Sequence, residues 1–304
     1  MKVLVTGCHG LLGQRLVALR PDSVELVAVD LADAPLFISP AIYRACDLTQ
    51  QMQVRRLFAD TKPDWVIHTA AYTNVDRAEE EPELCRAVNV TAVEYLVQEC
   101  RRFGATFVQL STDYVFDGTA GPYDESARPN PLGVYAKSKW EAEEIVKSSG
   151  VDFIIARTMV LYGRTVNNRP EFVGWLIDKL RKGERVRIVT DQFGNVTLND
   201  ELAAALWRLT QLPFRGIIHL AGRDVLSRYE FSLKIADSFE LDAGLITPVT
   251  TAELGQKAPR PLRSGLIVKK ALEELGLEFS DTAGGLKKYK AQWNKENQPS
   301  MEMN

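Results

Sequence analysis

Short apolar runs alternate with stretches of helical period along the first half of the chain. Val3–Thr6, Glu25–Val29, Trp65–His68 and Thr106–Gln109 are brief, mostly apolar and bounded by polar or turn residues, the pattern of strands buried on both faces. Between and after them, Leu11–Leu19, Gln51–Phe58, Glu83–Arg101 and Val134–Val146 gather their apolar residues on one helical face. Val151–Ala156 reads as another strand. Alternating strands and helices predict a parallel sheet covered on both sides.

After about Thr158 the pattern changes. Phe172, Val173, Leu176, Ile177 and Leu180 mark one helix face, and Leu202, Leu206 and Leu209 another, followed by the strand-like Gly216–Leu220. Ser227 and Glu230 form a capping-box pattern ahead of Phe231, Ile235 and Phe239. Val268, Leu272 and Leu275 share a further helix that Gly276 is expected to end. The polar tail from Asn294 to Asn304 is expected to fray. The expected architecture is a doubly wound α/β domain, residues 1–161 and 197–222, with a smaller mixed α/β lobe, residues 162–196 and 223–304. A cleft between the lobes is the expected ligand site.

The length of 304 residues suits one large domain or two intimately joined ones. The net charge of −3, with Lys and Arg scattered, argues against a nucleic-acid or membrane-surface partner. Cys8, Cys46, Cys85 and Cys100 show no CxxC pair and no zinc spacing, as expected of buried thiols in a reducing compartment. The first residues already read as a strand, so no signal peptide is expected. No run approaches the roughly 20 apolar residues of a membrane span. Together these features predict a cytoplasmic protein.

The first chemistry-bearing run is Thr6-Gly7-Cys8-His9-Gly10-Leu11-Leu12-Gly13, between the first strand and the first helix. Gly7 suits a tight turn, Gly10 a backbone approach to pyrophosphate, and Gly13 close packing of helix on sheet. A helix N-terminus there offers free N–H groups to phosphates. In this context the run predicts a dinucleotide-binding Rossmann domain. Asp30, closing the second strand, can accept bonds from the adenosine ribose and would repel a 2′-phosphate. NADH is therefore favoured over NADPH. Asp47 fits either an adenine contact or a helix cap.

Tyr135 and Lys139 stand four apart on a helical stretch, hence on one face. A neighbouring ammonium is expected to lower the phenol's pKa and make Tyr135 a workable acid. Ser111-Thr112-Asp113 follows the Thr106–Leu110 run, at the strand end where ligands of open α/β sheets bind. Its hydroxyls suit either a substrate oxygen and the phenol, or a turn cap.

Thr6–Gly13, Ser111–Gly118 and Tyr135–Lys139 together resemble the extended short-chain dehydrogenase/reductase superfamily and, more closely, the dTDP-4-dehydrorhamnose reductase family. Supporting runs are Ala70–Asp76, Ala87–Val90, Asp191–Gly194 and Arg260-Pro261 with Ser264. The resemblance implies NAD(P)H-dependent reduction of the C4 ketone of a nucleotide-linked 4-keto-6-deoxy sugar. Tyr135 would then be the acid, Lys139 its tuning partner and the ribose ligand, and Thr112 the hydroxyl partner. It further implies that His9, Leu11, Leu12, Leu48, Ala70, Ala71 and Tyr72 flank the cofactor. Val75, Asp113, Tyr114 and Arg260 would lie on the substrate side. Asn89 fits a proton-relay water or a helix-interior hydrogen bond. Arg260 and Arg263 fit either a substrate diphosphate or capping and surface roles.

Two departures fall on the expected substrate side. Arg157-Thr158 is followed by Met159-Val160 where the family commonly has Ser-Trp, and Gly194-Asn195-Val196-Thr197 replaces Gly-x-Pro-Thr. Some relatives bridge a dimer with Mg²⁺ through acidic residues, so a homodimer is one state open to the chain. Glu79-Glu80-Glu81 reads equally as a solvated helix start, and no metal is assigned. Two other functions stay open: an epimerase or dehydratase of the same superfamily, and a non-catalytic regulatory subunit such as the similar β-subunit of methionine adenosyltransferase.

Overall fold

The computed structural model describes residues 1–36, 41–164, 166 and 171–297. Its main sheet contains β1 (Lys2–Thr6), β2 (Glu25–Asp30), β3 (Ile42–Ala45), β4 (Trp65–His68), β5 (Thr106–Thr112), β6 (Phe153–Thr158) and the strand Gly216–His219. The Gly216–His219 strand forms one edge, followed by β6, β5, β4, β1, β2 and β3. Every pairing is parallel. The chain winds one way from β1 to β3 and the other way from β4 to β6, which opens a crevice at the carboxyl ends of β1 and β4.

Alternate side chains feed two cores. Val3 and Val5 point toward Leu16, Leu202, Leu206 and Trp207. Leu4 points the other way, toward Phe58, Leu96 and Val97. Burial on both faces explains why these strands read as continuous apolar runs. A third core, including Tyr162, Leu176, Phe231, Ile235 and Tyr289, belongs to the second lobe. Ser227 and Glu230 form the predicted capping box there. Ala271, Leu277 and Phe279, expected in the small lobe, instead pack into the core beneath the main sheet.

Several elements differ from the sequence reading. The first helix is confined to Gly13–Ala18, because Leu11 and Leu12 form the turn over the crevice. The Glu83–Arg101 pattern is split into Pro82–Arg86, a π-helical turn Ala87–Thr91, and Ala92–Phe103. The predicted Val268–Leu275 helix shrinks to a π-helical turn, Lys270–Glu274. Short strands of the second lobe escaped the periodicity analysis: Val186–Val189 pairs with Ile246–Val249, and Phe193–Asn195 with Val225–Ser227. The last helix runs Thr282–Asn297, so the first part of the polar tail is helical. The rest of that tail lies outside the described residues.

Candidate active site

The glycine turn shapes one wall of the crevice. Gly7 has φ +68°, and a Cβ there would lie 2.6 Å from the Ala70 nitrogen. A Cβ on Gly13 would lie 2.0 Å from the Gly7 carbonyl oxygen. Larger residues at either place would push the turn off the segment after β4 or off its own helix. The turn, the ends of β4 and β5, and the Val134–Ser148 helix enclose a cavity of about 670 Å³.

Gly7, His9, Gly10, Leu11, Leu12, Asp30, Ala70, Ala71, Tyr135 and Lys139, all expected at the cofactor, line this cavity. Ser111, expected at a ligand-facing strand end, also lines it, as do Thr69, Thr73, Val88, Leu110, Thr158 and Leu161, which were given no site role. Thr158 sits at a strand end, a signal that could have found it. Asp30 receives the His9 N–H at 2.9 Å and the Leu31 N–H at 2.8 Å. The His9 ring stacks on Tyr43, centroids 5.3 Å apart.

Other expected cofactor residues lie elsewhere. Asp47 does not line the cavity; it accepts both the backbone N–H and the hydroxyl of Thr49 in the turn before the Gln51–Thr61 helix, whose cap position is Gln50. Leu48 packs against the core on the opposite face of the sheet. The Tyr72 hydroxyl donates to Glu81 at 2.7 Å, away from the cavity wall. Gly13 lies behind the turn, where it serves packing.

The reactive pair sits at the start of the Val134–Ser148 helix. Glu79 accepts the N–H of Val134 at 2.8 Å, so part of the acidic run caps this helix. Lys139 is buried and donates to the Leu110 carbonyl at 2.7 Å. Burial pulls its pKa down to about 8, opposed by the Glu143 carboxylate one turn on. Glu143 is held by Arg157 in a bidentate pair at 2.9 and 2.7 Å, both residues almost fully buried. His68 stays neutral near the site, pushed down to about 3 by burial and then by the charge of Lys139.

Tyr135 does not follow the expected shift. Burial holds its phenol above the ordinary value, and the charges of Asp113 and Tyr114 push the same way, against a hydrogen bond with Thr112. Desolvation is the largest cause, and the phenol is protonated through the neutral range. Thr112 accepts the N–H of Tyr114 at 3.2 Å and donates to Asp113 at 3.1 Å. Asp113 also accepts the hydroxyl of Ser264 from the second lobe, at 2.8 Å. Burial lifts its carboxyl to about 6. Tyr114 meets Tyr135 edge-on, centroids 5.8 Å apart.

On the substrate side, Asp113 and Tyr114 line a smaller compartment between the lobes with Met159, Val160, Gly194 and Val196. Val75 begins the short Val75–Ala78 helix and lines neither cavity. Arg260 is engaged bidentately by Asp76 at 2.8 and 2.9 Å. The Arg263 side chain is exposed. Asn89, on the π-helical turn, accepts the Tyr72 N–H at 2.8 Å and donates to the Tyr72 carbonyl at 3.1 Å and to Ser138 at 2.9 Å. These bonds tie the π-helical turn to the Tyr72 backbone and to the Val134–Ser148 helix. Among the described residues no helix is long and apolar enough to cross a membrane.

Residues 1–294 match the family model for the RmlD substrate binding domain. The chain belongs to the RmlD substrate binding domain family. Members of the RmlD family and their neighbours span several named roles. The spore coat polysaccharide biosynthesis protein SpsK of Bacillus subtilis is 33% identical over 290 residues, 95% of this chain and 96% of that protein. The β-subunit of methionine adenosyltransferase 2 from Xenopus tropicalis is 31% identical, covering 91% of this chain and 83% of that one. The crystal structure of dTDP-4-dehydrorhamnose reductase from Bacillus anthracis, in complex with NADP, superposes with a TM-score of 0.85 at 30% identity, covering 96% of this chain and 99% of that one.

Proposed function

We propose that this RmlD-family chain is a nicotinamide-dependent oxidoreductase that reduces the C4 ketone of a nucleotide-linked 4-keto-6-deoxy sugar. The observation that carries the reading is that Tyr135 and Lys139 line one cavity with the glycine turn, with Thr112 hydrogen-bonded to the Tyr135 phenol. The cavity fits a dinucleotide, because Gly7 and Gly10 bring bare backbone to it and Asp30 closes the end at β2. A reduced nicotinamide held there by the glycine turn, Asp30 and Lys139 would supply hydride for the ketone carbon.

The chain's own residues supply the proton and the alignment. Tyr135, protonated at neutral pH, donates to the oxygen that becomes the alcohol. Lys139 stabilises the phenolate left behind and lies within reach of a ribose at the cavity wall. Thr112 holds the phenol in place, and Asp113 and Tyr114 face the sugar. Asp30 favours NADH, since a 2′-phosphate beside its carboxylate is repelled.

The test mixes the purified protein with reduced nicotinamide and dTDP-4-keto-6-deoxy sugar and follows nicotinamide absorbance. Consumption in proportion to enzyme is expected, with Tyr135→Phe lowering turnover about 10²-fold or more while the cofactor still binds. Near-wild-type turnover by Tyr135→Phe excludes the proton role. The likeness to the methionine adenosyltransferase subunit favours one second reading, a regulatory subunit. No turnover across a sugar-nucleotide panel, with a stable protein partner on pull-down, would establish that reading instead.

A further inference from the structure

The compartment between the lobes contains a polar group that the reductase reading leaves without a task. Arg228 lines it beside Asp113, Tyr114, Met159 and Gly194. The compartment adjoins the reaction centre, because Tyr114 in its wall is the ring that meets Tyr135 edge-on.

Local structure holds Arg228 in place. It is the first residue of the Arg228–Ser238 helix, directly after the Ser227 cap. Its N–H donates to the Gln192 carbonyl at 3.0 Å. Its guanidinium lies over the Phe172 ring, 5.1 Å from the centroid, which fixes the plane of the fork. Yet Nη1 is buried and finds no hydrogen-bond acceptor among the described residues.

A buried donor on a charged group with nothing to accept it is costly, and a ligand that brings an acceptor relieves that cost. Two neighbouring charged groups are occupied. The Asp113 oxygens receive Thr112 and Ser264, and Arg260 is bound to Asp76. Met159, Val160 and Val196, where the chain departs from the family pattern, line the same compartment. The wall around Arg228 is thus the part of the site most individual to this chain.

We propose that Arg228 is a specificity-determining residue whose free Nη1 donates to an anionic oxygen of the substrate, phosphate or carboxylate, seated beside Tyr114. The proposal rests on the nucleotide-sugar reading above. A guanidinium N–H to an anionic oxygen is among the stronger hydrogen bonds available to a protein.

Calorimetric titration of the full chain with dTDP, UDP-glucose and UDP-glucuronate tests it, comparing wild type with Arg228→Gln and Arg228→Lys. A loss of about tenfold or more in dTDP affinity for Arg228→Gln, partly restored in Arg228→Lys, is expected if the diphosphate supplies the oxygen. Unchanged dTDP and UDP-glucose binding, with loss of a wild-type preference for UDP-glucuronate over UDP-glucose, assigns the oxygen to a sugar carboxylate. Equal affinity of wild type and variants for all three probes overturns the proposal, as does failure of wild type to bind any of them. If Arg228→Gln does not fold, Arg228→Lys carries the comparison. A point charge does not reproduce the planar fork, so a several-fold loss is expected and wild-type affinity counts against the assignment. Because the readout is binding, absence of turnover would sink the reductase reading without obscuring this result.

Discussion

Glu79 accepts the backbone N–H of Val134, one residue ahead of Tyr135, at 2.8 Å. The first N–H groups of a helix lack partners within it, and Gly133, at the cap position, has no side chain to offer. The cap is instead supplied across 55 residues of sequence by a carboxylate, which also suits the positive end of the helix.

Glu79→Ala should therefore lower stability by about 1 kcal/mol and lower kcat more than it raises KM for reduced cofactor, because it loosens the turn that carries the phenol. Thermal melts and steady-state kinetics report the two effects. Wild-type values for both would remove Glu79 from the site.

Lys139 gives the reaction an alkaline limit. Its ammonium, held at about 8 by burial, is charged below that pH and fades above it. Stabilising the phenolate needs the charge, so kcat/KM should fall as pH rises through about 8. Lys139→Arg keeps its charge there, so its alkaline limb should move up or disappear even if the rate is lower. A wild-type profile flat to roughly pH 10, where an ordinary lysine titrates, would contradict this.

Asp113 should make stability depend on pH in the opposite sense to an ordinary paired carboxylate. Its folded pKa, about 6, lies above the ordinary 3.8. Its contribution is full below about pH 4 and is lost as pH rises through about 6, in total roughly 3 kcal/mol. Asp113→Asn should gain on wild type in melting temperature between those limits. Parallel curves for the two proteins would show that the carboxyl is not desolvated.

At the other end of the cavity, Asp30→Ala should move the NADH-to-NADPH ratio of kcat/KM toward NADPH by about tenfold, the scale of one lost charge interaction. An unmoved ratio would mean that Asp30 serves only its turn, through His9 and Leu31.

What could be read from the chain was local. The glycine turn, the buried strands and the four-residue spacing of Tyr135 and Lys139 depend on neighbours within a few residues. The structure brings Gly7, Asp30, Ala70, Tyr135 and Lys139 to one cavity. Long-range partners were not legible. Nothing near Glu79 announces Val134, nothing near Ser264 announces Asp113, and nothing near Arg260 announces Asp76. The direction of the Tyr135 shift was missed for the same reason, since spacing reports a neighbouring charge but not the depth of burial. The Phe193–Asn195 strand escaped because it is three residues long and is defined by distant partners, Val225–Ser227 on one side and Leu262–Arg263 at Phe193.

Asn89 ties these distant pieces into one mechanical part. It grips the Tyr72 backbone on both its N–H and carbonyl sides and reaches Ser138, whose hydroxyl donates in turn to the Tyr135 carbonyl at 2.7 Å. The ledge beside Ala70 and Ala71 and the helix carrying the proton donor are thus clamped to a single side chain. Alignment between donor and cofactor bed is built in at folding, and a ligand inherits it on arrival instead of having to create it.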